Sequence, residues 1–237
     1  MFTLFLTFEW EEGERRLSVG EVEHVARLVQ SADGVRRAII LTPAEASDRF
    51  NPPDPPPGLA LQIYFPTIEA AEAAIDAGGA LARLNAGEVP FLEGAVATHQ
   101  LMYCRPYLTP PAGAGTDAAH TCAYMVHYVG RPDDLNSWLD HYLRCHLPVM
   151  KKFPGLLELE MCTRVDWIAD APWGRADHFQ RNKVVFASPA ALGDALNSPV
   201  RDELRADFHA FPRFEGHAVH VPMLAREIDV APLSMGF

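Results

Sequence analysis

The feature that most constrains this chain is a pattern of landmarks that returns after 121 residues: Gly34 falls on Gly155, Phe65 on Phe186, Thr67 on Ser188 and His99 on His220. The elements between the landmarks return in the same order. In the first half, Phe2, Leu4, Leu6 and Phe8 alternate with Thr3, Phe5 and Thr7, the period of a strand with one uniformly apolar face. Ser18 and Glu21 form a capping-box signature for an amphipathic helix that carries Val19, Val22, Val25, Ala26 and Val29 and stops before Gly34. The β-branched run from Val35 to Thr42 predicts a second strand. Asn51 to Gly58, NPPDPPPG, reads as a stiff extended loop. A third strand follows from Leu59 to Phe65, then a helix capped by Thr67 that runs from Ile68 to about Leu84, then a fourth strand from Ala95 to Cys104. The order is βαββαβ.

After PYLTPPAGAGTDAA the order repeats: strand Cys122 to Val129, a helix from Asp134, strand Leu156 to Val165, a loop, strand Asn182 to Ala187, a helix capped by Ser188, and a last strand from Phe214 to Met223. An internal duplication explains a constant offset economically. Each unit is ferredoxin-like, an antiparallel sheet with both helices on one face and the other face bare. Two bare faces can close into one barrel around a cavity. The fold class expected is therefore α+β: two fused ferredoxin-like repeats forming an intrachain α+β barrel. Residues 1–105 would be the first repeat, 106–119 a linker, 120–223 the second repeat, and 224–237 a C-terminal arm. The arm ends in Leu233, Met235 and Phe237, which predicts docking over the barrel mouth or onto a second chain in a homodimer, against a frayed end.

The stretch from Asp134 to Gly155 places one histidine with care. Leu135, Trp138, Leu139, Tyr142, His146 and Val149 share one helical face. Pro148 cannot donate to the carbonyl of Arg144, so the helix should end or kink where His146 sits. Loose carbonyls favour the imidazolium and burial favours the neutral ring, a balance suited to an acid or a base. A core histidine bonded to a carbonyl is the alternative.

Trp138, Tyr142, His146, Pro148 and the run Phe153, Pro154, Gly155, Leu156 together resemble the EthD family of the dimeric α+β barrel superfamily. The stretch from Val184 to Pro199 is similar to that family's second βα unit. The resemblance covers the second half; in the first half, Val25 and Arg27 stand where His146 and Pro148 would be, so a site built on this histidine occurs once per chain. The resemblance implies cofactor-free isomerases, polyketide cyclases, decarboxylases, oxygenases and haem-handling enzymes as relatives.

Candidate site residues cluster in the second half. Aligning the first strands of the two halves by the offset puts His127 on the helix side and Tyr124 and Tyr128 towards the cavity. His146 and Tyr128 are the catalytic candidates, base or acid and phenol donor. Substrate-binding candidates are Tyr124, Tyr142 and Trp138, then Trp167, Trp173 and Arg164 in the loop from Arg164 to Phe179, then Asn182 near that mouth, and His99 and His220 on corresponding strands. For each, packing or anchoring is the alternative role. No spacing supports a metal, and no cofactor is expected. The cysteines Cys104, Cys122, Cys145 and Cys162 lie apart among apolar neighbours, as buried reduced thiols would.

A net charge of −11 without any basic run argues against nucleic acid and anionic membranes, and no stretch approaches a membrane span. The N-terminus looks like a strand and not a signal peptide, so a cytoplasmic protein is expected. The function expected is a cofactor-independent acid/base enzyme, a lyase, isomerase, dehydratase or cyclase, acting on a small aromatic or hydrophobic compound. The competing readings are a non-catalytic barrel that binds a hydrophobic ligand, and a haem-handling oxygenase with His146 as axial ligand.

Overall fold

In the computed structural model, residues 1–11, 15–109 and 120–230 are described. Residues 110–119 of the expected linker and 231–237 of the expected arm lie outside them. The first half supplies β1 (Phe2–Trp10), α1 (Val19–Gln30), β2 (Arg37–Pro43), β3 (Leu59–Phe65), α2 (Ile68–Ile75) and β4 (Ala95–Leu108). The second supplies β5 (Thr121–Pro132), α3 (Leu135–His141), a π-helical turn (Tyr142–His146), α4 (Leu147–Met150), β6 (Glu158–Arg164), β7 (Gly174–Arg175), β8 (His178–Phe186), α5 (Pro189–Leu196), α6 (Pro199–Phe208) and β9 (Phe214–Ile228).

The caps work as the sequence implies. Ser18 and Glu21 form a reciprocal capping box, Thr67 accepts from Ala70 N, and Ser188 accepts from Ala191 N. Gly34 and Gly155 both turn with positive φ, 78° and 73°. The second helix is shorter than expected and stops at Ile75. A Cβ at Gly79 would lie 2.4 Å from Ala74 O, so the chain there folds back against the helix end in a way that only glycine allows.

Eight strands close into an antiparallel barrel in the order β1-β3-β2-β9-β5-β8-β6-β4, with β4 returning to β1. β7 adds a short parallel pair on β4. The halves meet at two seams, β2 with β9 and β4 with β6. The first seam uses Leu224 to Ile228, which pair with Thr42 to Ala38. These residues are strand, so the stretch set apart as an arm begins five residues too early.

Register decides which face looks inward. Leu4 sits between Ile63 and Leu101, and Tyr124 sits between Val184 and Pro222. β3 and β4 thus carry onto β8 and β9 at an offset of 121, whereas β1 carries onto β5 at 120. One residue of slip reverses every side chain. The expected phase of β5 is therefore corrected: Tyr124, Val126 and Tyr128 face the helices, and His127 faces the barrel interior beside Arg181 and His178. The uniformly apolar face of β1 also packs under helices, with Leu4, Leu6 and Phe8 against Val25, Val29, Ala71 and Ile75.

The interior is not an open cavity between sheets. It holds an apolar layer of Phe5, Ile39, Leu41, Met102, Met125 and Met223 and a buried ion network. Lys183, 1% exposed, lies 3.0 Å from Glu158 and 3.1 Å from Glu160 and donates to the Tyr64 hydroxyl at 2.7 Å. Arg37 donates to both oxygens of Glu158, and Tyr64 and Gln62 donate to Glu160. First-half residues thereby satisfy second-half charges across the barrel.

Removing one partner of a buried ion pair strands the other, so Lys183→Ala should cost about 3–5 kcal/mol in chemical denaturation at neutral pH. Burial works to raise the Glu158 carboxyl, but Lys183 and Arg37 outweigh it and hold the group below its ordinary 4.5, at about 2. The unfolded chain therefore takes up this proton first. Stability present above about pH 4.5 should be lost as pH falls towards about 2, measured by acid titration of the thermal midpoint.

Candidate active site

A cavity of about 710 Å³ lies outside the barrel, between the outer face of β5, β8 and β9 and the helices of the second half. Its floor is Tyr124, Val126, Tyr128, Asn182 and His220; its roof is Tyr142, His146 and Met150 from the interrupted helix, with Leu204, Arg205 and Phe208 from α6. Phe50, Asn51, Pro52 and Asp54, from the proline-rich loop of the first half, close one side.

Pro148 shapes the roof. The helix does not end at His146; its turn widens, and Leu147 N donates to Tyr142 O, one residue further back than in an α-helix. A π turn accommodates the missing donor and the proline ring while the helix continues. It brings Tyr142 and His146, rings 5.0 Å apart, onto the cavity.

His146 Nδ1 lies 2.7 Å from Asp207 Oδ2, and the other oxygen of Asp207 lies 3.1 Å from His141 Nε2. Asp207 as a carboxylate accepts the proton of Nδ1, which leaves Nε2 with a lone pair. Burial lowers the His146 pKa below 6.5, and Asp207 pulls the other way. The lowered pKa favours the neutral ring, and a carboxylate is in place to stabilise the imidazolium once formed.

The facing donors are oriented by a relay. The indole of Trp138 can only donate, and it does so to Gln180 Oε1 at 3.0 Å. Gln180 therefore turns its amide nitrogen to Asn182 Oδ1, 3.1 Å away. Asn182 is left with Nδ2 as a buried donor on the cavity floor, close to the Tyr142 phenol but in no well-formed hydrogen bond. Burial raises the pKa of the Tyr128 and Tyr142 phenols, which stay protonated. Tyr142 donates to Met150 Sδ at 3.1 Å.

At the mouth, Arg201 bonds Asp48 at 2.8 Å, and Asp48 accepts from the Tyr124 hydroxyl at 3.2 Å. Arg205 lies over the Phe50 ring, and Asp54 accepts from His220 N at 2.7 Å. These contacts bind the first-half loop to the second-half site.

The structure thus brings His146, Tyr128, Tyr124, Tyr142, Asn182 and His220 together. Trp138 is fully buried beside the cavity, packed on Tyr128 and Phe179, and acts on the site through Gln180. The loop after β6 lies elsewhere: Trp173 enters the first-half core and donates to Leu84 O, Trp167 donates to His99 Nε2, and Arg164 pairs with Asp177 in the open. His99 anchors that loop. His99 and His220 do occupy corresponding outer-face positions, opposite Leu6 and Val126. Asp207, Arg201 and Asp48 were not singled out from the sequence. The Ser198-Pro199 start and the apolar spacing of Val200, Leu204 and Phe208 announce α6, but nothing announces what it faces.

No family model matches the sequence, and no curated protein matches it. Solved structures match in shape. An anthrone oxidase-like protein aligns over 98% of this chain and 96% of its own, with a TM-score of 0.59 at 14% identity. A monooxygenase-like protein from Fusobacterium nucleatum aligns over 96% and 92%, with a TM-score of 0.52 at 8% identity. An EthD family protein from Bacillus halodurans aligns over 41% of this chain and 95% of its own, with a TM-score of 0.32 at 18% identity. The full-length matches share the fold, an α+β barrel of ferredoxin-like type. Among the described residues no helix is long and apolar enough to cross a membrane.

The mouth contacts predict a measurable coupling between the halves. Arg201→Met leaves Asp48, whose side chain is 2% exposed, without its cation. This should cost about 3 kcal/mol and speed hydrogen exchange at Phe50 N, which donates to Asp48.

Proposed function

We propose that this chain is a small-molecule enzyme in which His146 withdraws a proton from an aromatic or otherwise hydrophobic compound held in the outer cavity. The observation that carries the reading is the His146–Asp207 pair, 2.7 Å apart, on the wall of an aromatic cavity. Asp207 selects the tautomer with Nε2 free and stabilises the charge that the ring gains. Asn182 Nδ2 and the Tyr128 hydroxyl supply donors for the oxygen on which negative charge develops. The aromatic walls fix orientation.

Among the matching structures are an anthrone oxidase-like protein, a monooxygenase-like protein and a chlorite dismutase-like protein. Proton withdrawal is compatible with oxidation as well as with lyase or isomerase chemistry, since an electron-rich phenolate or carbanion can rearrange, eliminate or react with dioxygen. A haem-handling oxygenase is a second reading: an imidazole held at Nδ1 by a carboxylate also suits an axial ligand. Addition of haem separates the two, because ligation by His146 gives a Soret band that His146→Gln loses.

The test uses a panel of hydroxyaromatic compounds, with product formation and oxygen uptake followed together. His146→Gln should lower turnover by about 100- to 10,000-fold while the thermal midpoint stays within a few degrees. Asp207→Asn should lower it by at least about tenfold, because the amide can hold the wrong tautomer. The kcat/KM profile should fall as pH drops through a pKa below 6.5. Full turnover by His146→Gln overturns the reading, and ligand binding without turnover in the native chain makes the protein a binder.

We also infer that the halves, residues 1–105 and 120 onward, are fused copies of one unit. Supporting this are the parallel strand orders β4-β1-β3-β2 and β9-β5-β8-β6, the paired caps and the paired left-handed glycines. Halves expressed separately should aggregate or reassociate, since each exposes two seam strands. Two stable monomers by light scattering would contradict it.

A further inference from the structure

Three of the four cysteines are buried, as their neighbours imply, but Cys145 is exposed on the outer side of the π turn. It does not stand alone there. His141, Cys145 and Asp207 each offer a ligand atom, and these atoms all lie within 4.8 Å of one another. We propose that His141, Cys145 and Asp207 form a binding site for a zinc-class divalent cation, on the solvent side of the helix whose other side faces the cavity.

The donor set argues for the ion. An imidazole, a thiolate and a carboxylate make a mixed N, S, O set, which suits zinc and its neighbours and not magnesium or calcium. His141 Nε2 and Asp207 Oδ1 are 3.1 Å apart, close to the roughly 3.3 Å edge of a tetrahedron with bonds of about 2.0 Å. His141 and Cys145 are four residues apart, so the helix stacks them, and α6 brings Asp207 over both. His141 and Asp207 side chains are 19% and 15% exposed, and a shallow groove lined by Asn136, His141, Cys145 and Phe211 opens beside them. Solvent supplies the fourth ligand.

The site touches the cavity through one carboxylate. Asp207 Oδ2 holds His146 Nδ1 while Oδ1 faces His141. Metal binding does not rest on the proposed role of His146.

The test uses the full, tag-free chain stripped with a chelator and titrated with Co²⁺ as a spectroscopic probe, then with Zn²⁺ in competition. One ion per chain should bind, with a thiolate-to-cobalt absorption in the near ultraviolet and the visible bands of a tetrahedral ion, displaced by Zn²⁺. Cys145→Ser replaces an exposed side chain and should leave the thermal midpoint unchanged, abolish the thiolate absorption, and weaken binding by at least about tenfold. His141→Ala should weaken binding as much. The remaining cysteines are buried, so the absorption reports Cys145 alone. Absence of that absorption, or equal affinity in the native chain and both variants, overturns the site. Neither readout depends on turnover, so failure of the metal site and failure of the catalytic reading remain separate.

Discussion

Inside the barrel a buried lysine is shared by two buried glutamates, and the rest of the architecture depends on this arrangement. A charge can be taken out of water only when partners meet it, and here they come from both halves: Arg37, Gln62 and Tyr64 from the first, Glu158, Glu160 and Lys183 from the second. Because the polar groups must meet, each strand that carries one is locked in phase. Lys183 inward puts Asn182 and Val184 outward, and Glu158 and Glu160 inward put Leu159 and Met161 outward. The network thus fixes the barrel and, at the same time, the surface offered to the helices.

That division explains where the cavity can be. A closed barrel can be polar inside because its groups satisfy one another. The layer between sheet and helices is mostly apolar, so the pocket left there is walled largely by aromatic and aliphatic side chains, with His146, Asn182, Arg201 and His220 among its polar groups. In the first half, Val25 of α1 and Trp173, arriving from the second half, pack into the corresponding layer. The second half leaves space where the π turn displaces the helix and α6 crosses it.

The site is consequently built from all levels of the fold. A proline changes the helical register, a donor-only indole orients an amide through a glutamine, and a loop from the other half supplies a wall held by Arg201 and Asp48. Asp207 lies at the junction of the inner and outer sides of the helix, bonded to His146 on one and His141 on the other. Apart from the proline turn and the Gln180–Asn182 bond, these contacts join residues at least 42 apart in the chain.

Local physics, legible in the sequence, determined the order of the eight barrel strands, the caps at Ser18, Thr67 and Ser188, the turns at Gly34 and Gly155, and the interruption of the helix beside His146, but not the helix α6 that supplies Asp207. Each depends on a few neighbouring residues and on backbone preferences that hold in any context. Tertiary structure alone decided which face of β5 looks inward, because a single residue of slip between β1 and β5 is invisible without the ladders that pin them. It alone paired His146 with Asp207, 61 residues away, and carried Asp48 to Arg201, 153 residues away. Such partners are chosen by the burial of charge and by closure of the sheet, which act on the whole chain at once and leave no spacing in the sequence to read.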